Sequence, residues 1–116
     1  MAITSAICST FKQELLKGNH DFDGGATYKI ALYTSSASMG ASTTAYSTTN
    51  ETSGTGYTAA GATLTSPAVA LSSTTAYIDF ANATWSTSSF TANGALIYRS
   101  DGSAPTNDAV CVIAFG

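Results

Sequence analysis

Ser9-Thr-Phe-Lys12 is the stretch of this sequence with the spacing of a nucleophile and an activating amine. An S-x-x-K arrangement sets a hydroxyl and an amine one helical turn apart, which suits acyl transfer through serine. The Ser-Asp-Asn and Lys-Thr-Gly elements that accompany that chemistry are missing from the chain, and Phe11 marks the segment as a packing helix. His20-Asp-Phe-Asp23 offers one imidazole and two carboxylates to a cation, but the same residues ahead of Gly24-Gly25 also make an ordinary solvated connection, which is the expectation adopted. Gly54-Thr-Gly56 lacks the third glycine and the strand-turn-helix setting of a dinucleotide fingerprint. Asn50-Glu-Thr52 and Asn82-Ala-Thr84 are glycosylation sequons in form, without a secretory signal to expose them to the machinery. Cys8 and Cys111 could pair; each is expected in a core-facing element, where free cysteine serves as a small apolar filler. No catalytic residue, metal site or cofactor is therefore expected, and the chain reads as non-enzymatic.

Whatever positions these groups must be built from unusual material. Of 116 residues only 9% are charged, far below the roughly 25% of ordinary globular proteins, while 16 Ser and 19 Thr take their place. A neutral, hydroxyl-rich surface favours a protein packed against others over a free monomer, which is better served by mixed charge. Net charge is −3, and Lys12, Lys17, Lys29 and Arg99 are too scattered to neutralise a phosphate backbone, so no nucleic acid is expected as partner. No apolar run approaches a membrane span and no leader pattern opens the chain, so the expected product is the translated chain itself, made in a cytoplasm and independent of membranes.

The expected fold is mainly β: a single antiparallel β-sandwich, jelly-roll-like, with one short N-terminal α-helix, forming one domain over residues 1–116. The helix is expected over about 5–17 and the β-domain over about 26–116. Thr4 or Ser5 can cap the helix; Ile7, Phe11 and Leu15 recur at four-residue spacing beside Cys8 and Leu16; Gly18 is placed to end it, with Lys12 and Lys17 toward the favourable end of the macrodipole. So short a helix must dock, on its own sheet or on a neighbouring subunit. Strands are expected at 28–34, weakly at 56–64, at 69–71, at 76–80 with Ile78 and Phe80 opposed to Tyr77 and Asp79, and at 95–99 and 109–115. The last is apolar on both faces and so reads as central, paired antiparallel to 95–99 across the Asp101-Gly102 turn and the Pro105 loop.

Between the first two of these strands runs a long, almost uncharged loop, which contains a single carboxylate, Glu51, from residue 44 to residue 61. The 35–53 loop is the first candidate for an interface, with Tyr46, Asn50, Glu51 and, just beyond it, Tyr57 as contact residues; tyrosine offers a large rigid surface with a hydroxyl at its tip. Tyr46 and Tyr57 could equally cover a strand end at the rim of a sandwich. Phe11 and Leu15 on the helix face and the 102–108 loop are the other candidate contacts. Met39 and Trp85 suit core plugs better than ligand platforms, and a carbohydrate-binding face would need Tyr77, Tyr98 and Trp85 exposed together.

Four motifs occur in a telling order: Cys8-Ser-Thr-Phe-Lys-Gln-Glu-Leu-Leu16; Tyr28-Lys-Ile-Ala-Leu-Tyr-Thr34; Tyr46-Ser-Thr-Thr-Asn-Glu51 with Gly54-Thr-Gly-Tyr-Thr58; and Gly94-Ala-Leu-Ile-Tyr98. Together they resemble a family of small structural proteins of tailed bacteriophages. The resemblance implies a virion component without catalytic residues, made in the host bacterial cytoplasm; the single small domain and the hydroxyl-rich loops favour the capsid surface, as a cement or decoration protein whose partner is the major capsid protein and which works as a homo-oligomer, dimer or trimer. Neck and tail proteins built from small β-domains are the alternative it leaves open.

Overall fold

A computed structural model describes residues 2–23, 25–102 and 106–116. Its strands follow the runs of alternating and β-branched residues: β1 (Ala6–Ile7), β2 (Tyr28–Tyr33), β3 (Ala62–Leu64), β4 (Ala68–Ser72), β5 (Thr75–Asp79), β6 (Gly94–Arg99) and β7 (Ala109–Ala114), with α1 (Ser9–Leu16) between the first two. The fold is mainly β, with antiparallel sheets and one short helix. Both sheets are open: a five-stranded sheet in the order β1-β7-β6-β2-β3 and a separate two-stranded ribbon, β4-β5. Among the described residues no helix is long and apolar enough to cross a membrane.

The last strand is interior, as its two apolar faces require. It lies between β1 and β6, pairing Leu96 with Val112 and Ile97 with Cys111 before a bulge shifts the register so that Tyr98 meets Ala109. The bulge leaves Val110 without an opposite number in that register, and its carbonyl accepts the Cys8 amide at 2.9 Å. That bond fixes where α1 starts.

The helix is shorter than the sequence pattern suggests. Residues 5–8 are extended, not helical: Ala6 and Ile7 pair with Val112 and Cys111, and the Ser5 hydroxyl accepts the Ala114 amide at 2.8 Å. Thr4 and Ser5 are therefore not the N-cap. Cys8 occupies that position without a side-chain capping bond, because an open edge of β7 satisfies more backbone groups than another helical turn would. Gly18 does end the helix, at φ +82°, with its amide on the Leu15 carbonyl. Only half of the apolar stripe docks: Cys8 and Phe11 are buried, whereas Ile7, Leu15 and Leu16 are 50%, 45% and 90% exposed. Both cysteines are free thiols, and burial pushes Cys8 up to about 11 and Cys111 upward as well.

On one face of the large sheet, Ala31 and Tyr33 of β2, Leu96 and Tyr98 of β6 and Val112 of β7 are buried together. The long loop folds over this face. Tyr33 donates to the Ser47 carbonyl at 2.7 Å, Tyr98 donates to the Ala60 carbonyl at 2.6 Å, and Tyr46 stacks on Tyr98 at 4.6 Å. The weak strand expected over 56–64 is realised only as β3; before it the chain turns through Gly56, Ala60 and Gly61, all at positive φ. Gly61 also sits against β2 so closely that a Cβ would collide with the Ile30 carbonyl oxygen and lie 2.8 Å from the Ala31 Cα. Gly61→Ala is therefore expected to cost at least about 3 kcal/mol, summing left-handed strain and backbone displacement. Urea unfolding checks this; a loss below about 1 kcal/mol would contradict the close approach.

Candidate interaction surface

Glu51 is the point to which the long loop is tied. Tyr46 donates its hydroxyl to Oε1 at 2.6 Å, Tyr57 donates to Oε2 at 2.5 Å, and the Ala60 amide donates to the same Oε2 at 2.9 Å. The Tyr57 hydroxyl also accepts the Leu32 amide at 3.0 Å, so one phenol links the loop carboxylate to the edge of β2. Thr52 adds a second tie, its amide on the Leu32 carbonyl and its hydroxyl on the Thr91 carbonyl. Charge-assisted bonds of this kind are roughly twice as strong as neutral ones. The result is a loop with the fixity of a sheet layer.

This geometry assigns the sequence candidates to different places. Tyr46 and Tyr57 are half-buried, with ring and hydroxyl engaged within the chain; Tyr57 further packs against Phe90 at 5.4 Å and Trp85 at 6.4 Å. Glu51 lies between them. Asn50 is exposed at positive φ and donates to the Ser36 carbonyl, bridging the two ends of the loop's outer turn. Phe11 is buried in the core, and Leu15 is half-exposed. Met39 packs against the core from its edge. Tyr77, Tyr98 and Trp85 do not form one face: Tyr98 is buried under the loop, Trp85 lies beside Tyr57, and Tyr77 is on the β4–β5 ribbon. Of the 102–108 loop, residues 103–105, including Pro105, lie outside the described residues. What remains exposed on the loop is a crown of Ser and Thr hydroxyls around a shallow cavity of about 430 Å³, lined by Ser36, Met39, Thr43, Ser47 and Asn50 among others.

The His20 segment is not a solvated connection. His20 is buried, its Nε2 is 2.6 Å from Asp108 Oδ2, and its Nδ1 is 3.1 Å from the Tyr28 hydroxyl. With the proton on Nε2 the ring donates to the carboxylate and accepts from the phenol, so both nitrogens are satisfied. Phe11 meets the ring edge-on at 4.7 Å, and Phe22 stacks on Tyr28 at 4.3 Å. The pairing spans 88 positions of sequence, which is why local reading sees only a polar turn beside it. Among the described residues no group of three His, Cys, Asp or Glu side chains is arranged to hold a metal ion.

The third element is the ribbon. Its register places Val69 opposite Ile78 and Leu71 opposite Ala76, giving one wholly apolar face. At the ribbon's base Phe80, on the same face, packs on Phe22 and Tyr28. Toward the tip the exposure rises, from 39% at Ile78 through 54% at Val69 to 73% at Leu71. This face and the helix flank a groove of about 600 Å³, lined by Phe11, Leu15 and Phe22 on one side and Val69 and Ile78 on the other. Sequence reading found the alternation of β5 but expected a second layer over it.

Comparison with known proteins finds no family model, no curated protein and no solved structure that matches this chain.

Two outcomes follow from the clamp. Glu51→Ala strands two phenols and an amide, and is expected to cost about 2–4 kcal/mol and to open the 44–61 loop to proteolysis ahead of global unfolding, measured by limited digestion. Burial raises Tyr28 and Tyr98 to about 12, and burial followed by the Glu51 carboxylate raises Tyr46 and Tyr57 further. The folded state thus favours neutral phenols. That contribution is whole below the ordinary phenol value near 10 and is lost as pH rises through the folded values. Thermal stability should hold up to about pH 10 and fall beyond it, with these tyrosines ionising as the chain unfolds; their full ionisation in a still-folded chain would contradict the assignment.

Proposed function

We propose that this chain is a non-enzymatic structural protein of a tailed-bacteriophage virion: a capsid cement or decoration protein that binds across adjacent major capsid protein subunits and stabilises the shell. The resemblance of the four sequence motifs supports this class. The observation that carries the binding mode is the Glu51 clamp, which turns a long hydroxyl-rich loop into a fixed, nearly neutral crown. A surface ordered before contact avoids the entropy that a mobile loop would lose on binding.

In this reading the protein acts through several weak contacts. One contact of about 800 Å² per partner suffices when a small homo-oligomer, dimer or trimer, brings its remaining contacts to effective concentrations in the millimolar range. The bound form then favours the intact shell by mass action, because separated subunits present no spanning site. The jelly-roll-like sandwich suggested by the strand pattern belongs to the same proposal: the apolar ribbon face supports a second layer that closes on assembly. A neck or tail location is the competing assignment, and it differs in stoichiometry.

The test is the number of copies per major capsid protein in purified particles of the phage that encodes the chain, by quantitative mass spectrometry. A simple ratio to the shell protein is expected; about a dozen copies, the scale of a ring at one vertex, would place the chain in the neck or tail, and its absence would end the virion reading. Thr48→Lys, on the exposed crown, should weaken attachment to purified shells at least about tenfold without lowering the melting temperature. Unchanged attachment would remove the crown from the contact surface.

A further inference from the structure

The β4–β5 ribbon is an apolar stripe that leaves the core and ends in water. A two-stranded ribbon is marginal by itself, and this one is held at its base through Phe80. We propose that its tip docks in the groove of a second copy of this chain, reciprocally about a two-fold axis, with Leu71 of each copy seated between α1 and the ribbon of the other.

Three observations select a second copy as the occupant. The first is that the chain carries both halves of the contact. Leu71, 73% exposed beyond the groove, is a projecting apolar knob, and the groove of about 600 Å³ walled by Phe11, Leu15, Val69 and Ile78 is an apolar hole larger than one leucine side chain. A two-fold contact brings knob to hole twice. The second is area. The exposed parts of Leu15, Val69, Leu71 and Ile78 amount to roughly 350–400 Å² per chain, about half of the ~800 Å² per partner of a standard interface, so a stable pair needs the knob and the hole of each chain covered together with the ribbon's backbone edges. A one-way insertion would cover only the knob of one chain and the hole of the other. The third is charge. Asp21 and Asp23 line the groove mouth, and the ribbon's one carboxylate, Asp79, lies at its base, while the tip reads Ser72-Ser-Thr-Thr75. A neutral tip enters beside two carboxylates without repulsion, and its hydroxyls can donate to them. The tip is shaped for projection: Ser72 pairs with Thr75 around a two-residue loop in which Ser73 takes φ +56°.

This pairing deepens the reading of the chain as a self-associating binder, and it is tested with the purified chain alone, so that failure of shell attachment and failure of self-association are separate results. Sedimentation equilibrium of the full chain should give a dimer. Leu71→Lys should weaken that dimer at least about tenfold while circular dichroism and melting stay unchanged, because the residue is exposed in the single chain. A chain carrying Leu71→Cys mixed with one carrying Leu15→Cys should form a disulfide-linked mixed dimer under mild oxidation, and the contact is intermolecular if neither alone does so. A wild-type monomer, a trimer, or a dimer indifferent to Leu71→Lys would overturn the proposal. So would a Leu71→Lys chain that loses only shell attachment, which would give the ribbon to the capsid protein.

Discussion

A sheet with two faces must be covered on both, and the described residues offer one helix of eight residues with which to do it. The Glu51 carboxylate resolves that constraint. By accepting two phenols and one amide it gathers segments on either side of itself into a fixed cover over Tyr33, Leu96 and Tyr98. Backbone groups that a free loop would leave to water are directed onto β2 and onto each other. A segment that would ordinarily be the most mobile part of a small domain thereby does the work of a layer.

Several of the few charged residues have structural roles. His20 and Asp108 join the start of β7 to the segment after α1, and the Arg99 guanidinium donates to the Asn19 carbonyl in the same neighbourhood. Glu14 accepts from Asn19 and Lys17, bonds that draw its carboxyl below the usual carboxylate range, the Asn19 contact foremost. Asp108, Arg99, Glu14 and Lys17, four charged side chains, are thus occupied together with His20 around the turn that follows α1. A neutral exterior is the other side of the same distribution, and it suits extended contact with similarly bland surfaces.

How much of this could be read from the sequence depended on the range of the interaction. The strands announced themselves through alternation, and the central place of β7 through its apolar character on both faces. The end of α1 was visible at Gly18 because a left-handed residue there needs no partner. Its beginning was not, since the choice between another helical turn and pairing with β7 is made by residues more than a hundred positions away. Tyr46, Glu51 and Tyr57 stood out as residues, but their mutual clamp was hidden because nothing in a Ser/Thr/Gly-rich string fixes which side chains converge. The His20–Asp108 pair was illegible for the same reason. The ribbon's apolar face could be read, and only the want of a covering layer in the same chain could not.

The pairing of β1 with β7 also governs the order in which the molecule can come into being. Ile7 meets Cys111, and β2 waits for β6, so the large sheet cannot close until β7 has been made. The β4–β5 ribbon needs only its own residues and a two-residue loop, a microsecond event available long before. Contacts of such wide sequence separation make the final closure slow relative to the ribbon's appearance. For an interval in every molecule's synthesis, the ribbon's apolar residues are therefore out without the body that will hold them, and the ribbon is sampled only transiently until Phe22 and Tyr28 receive Phe80.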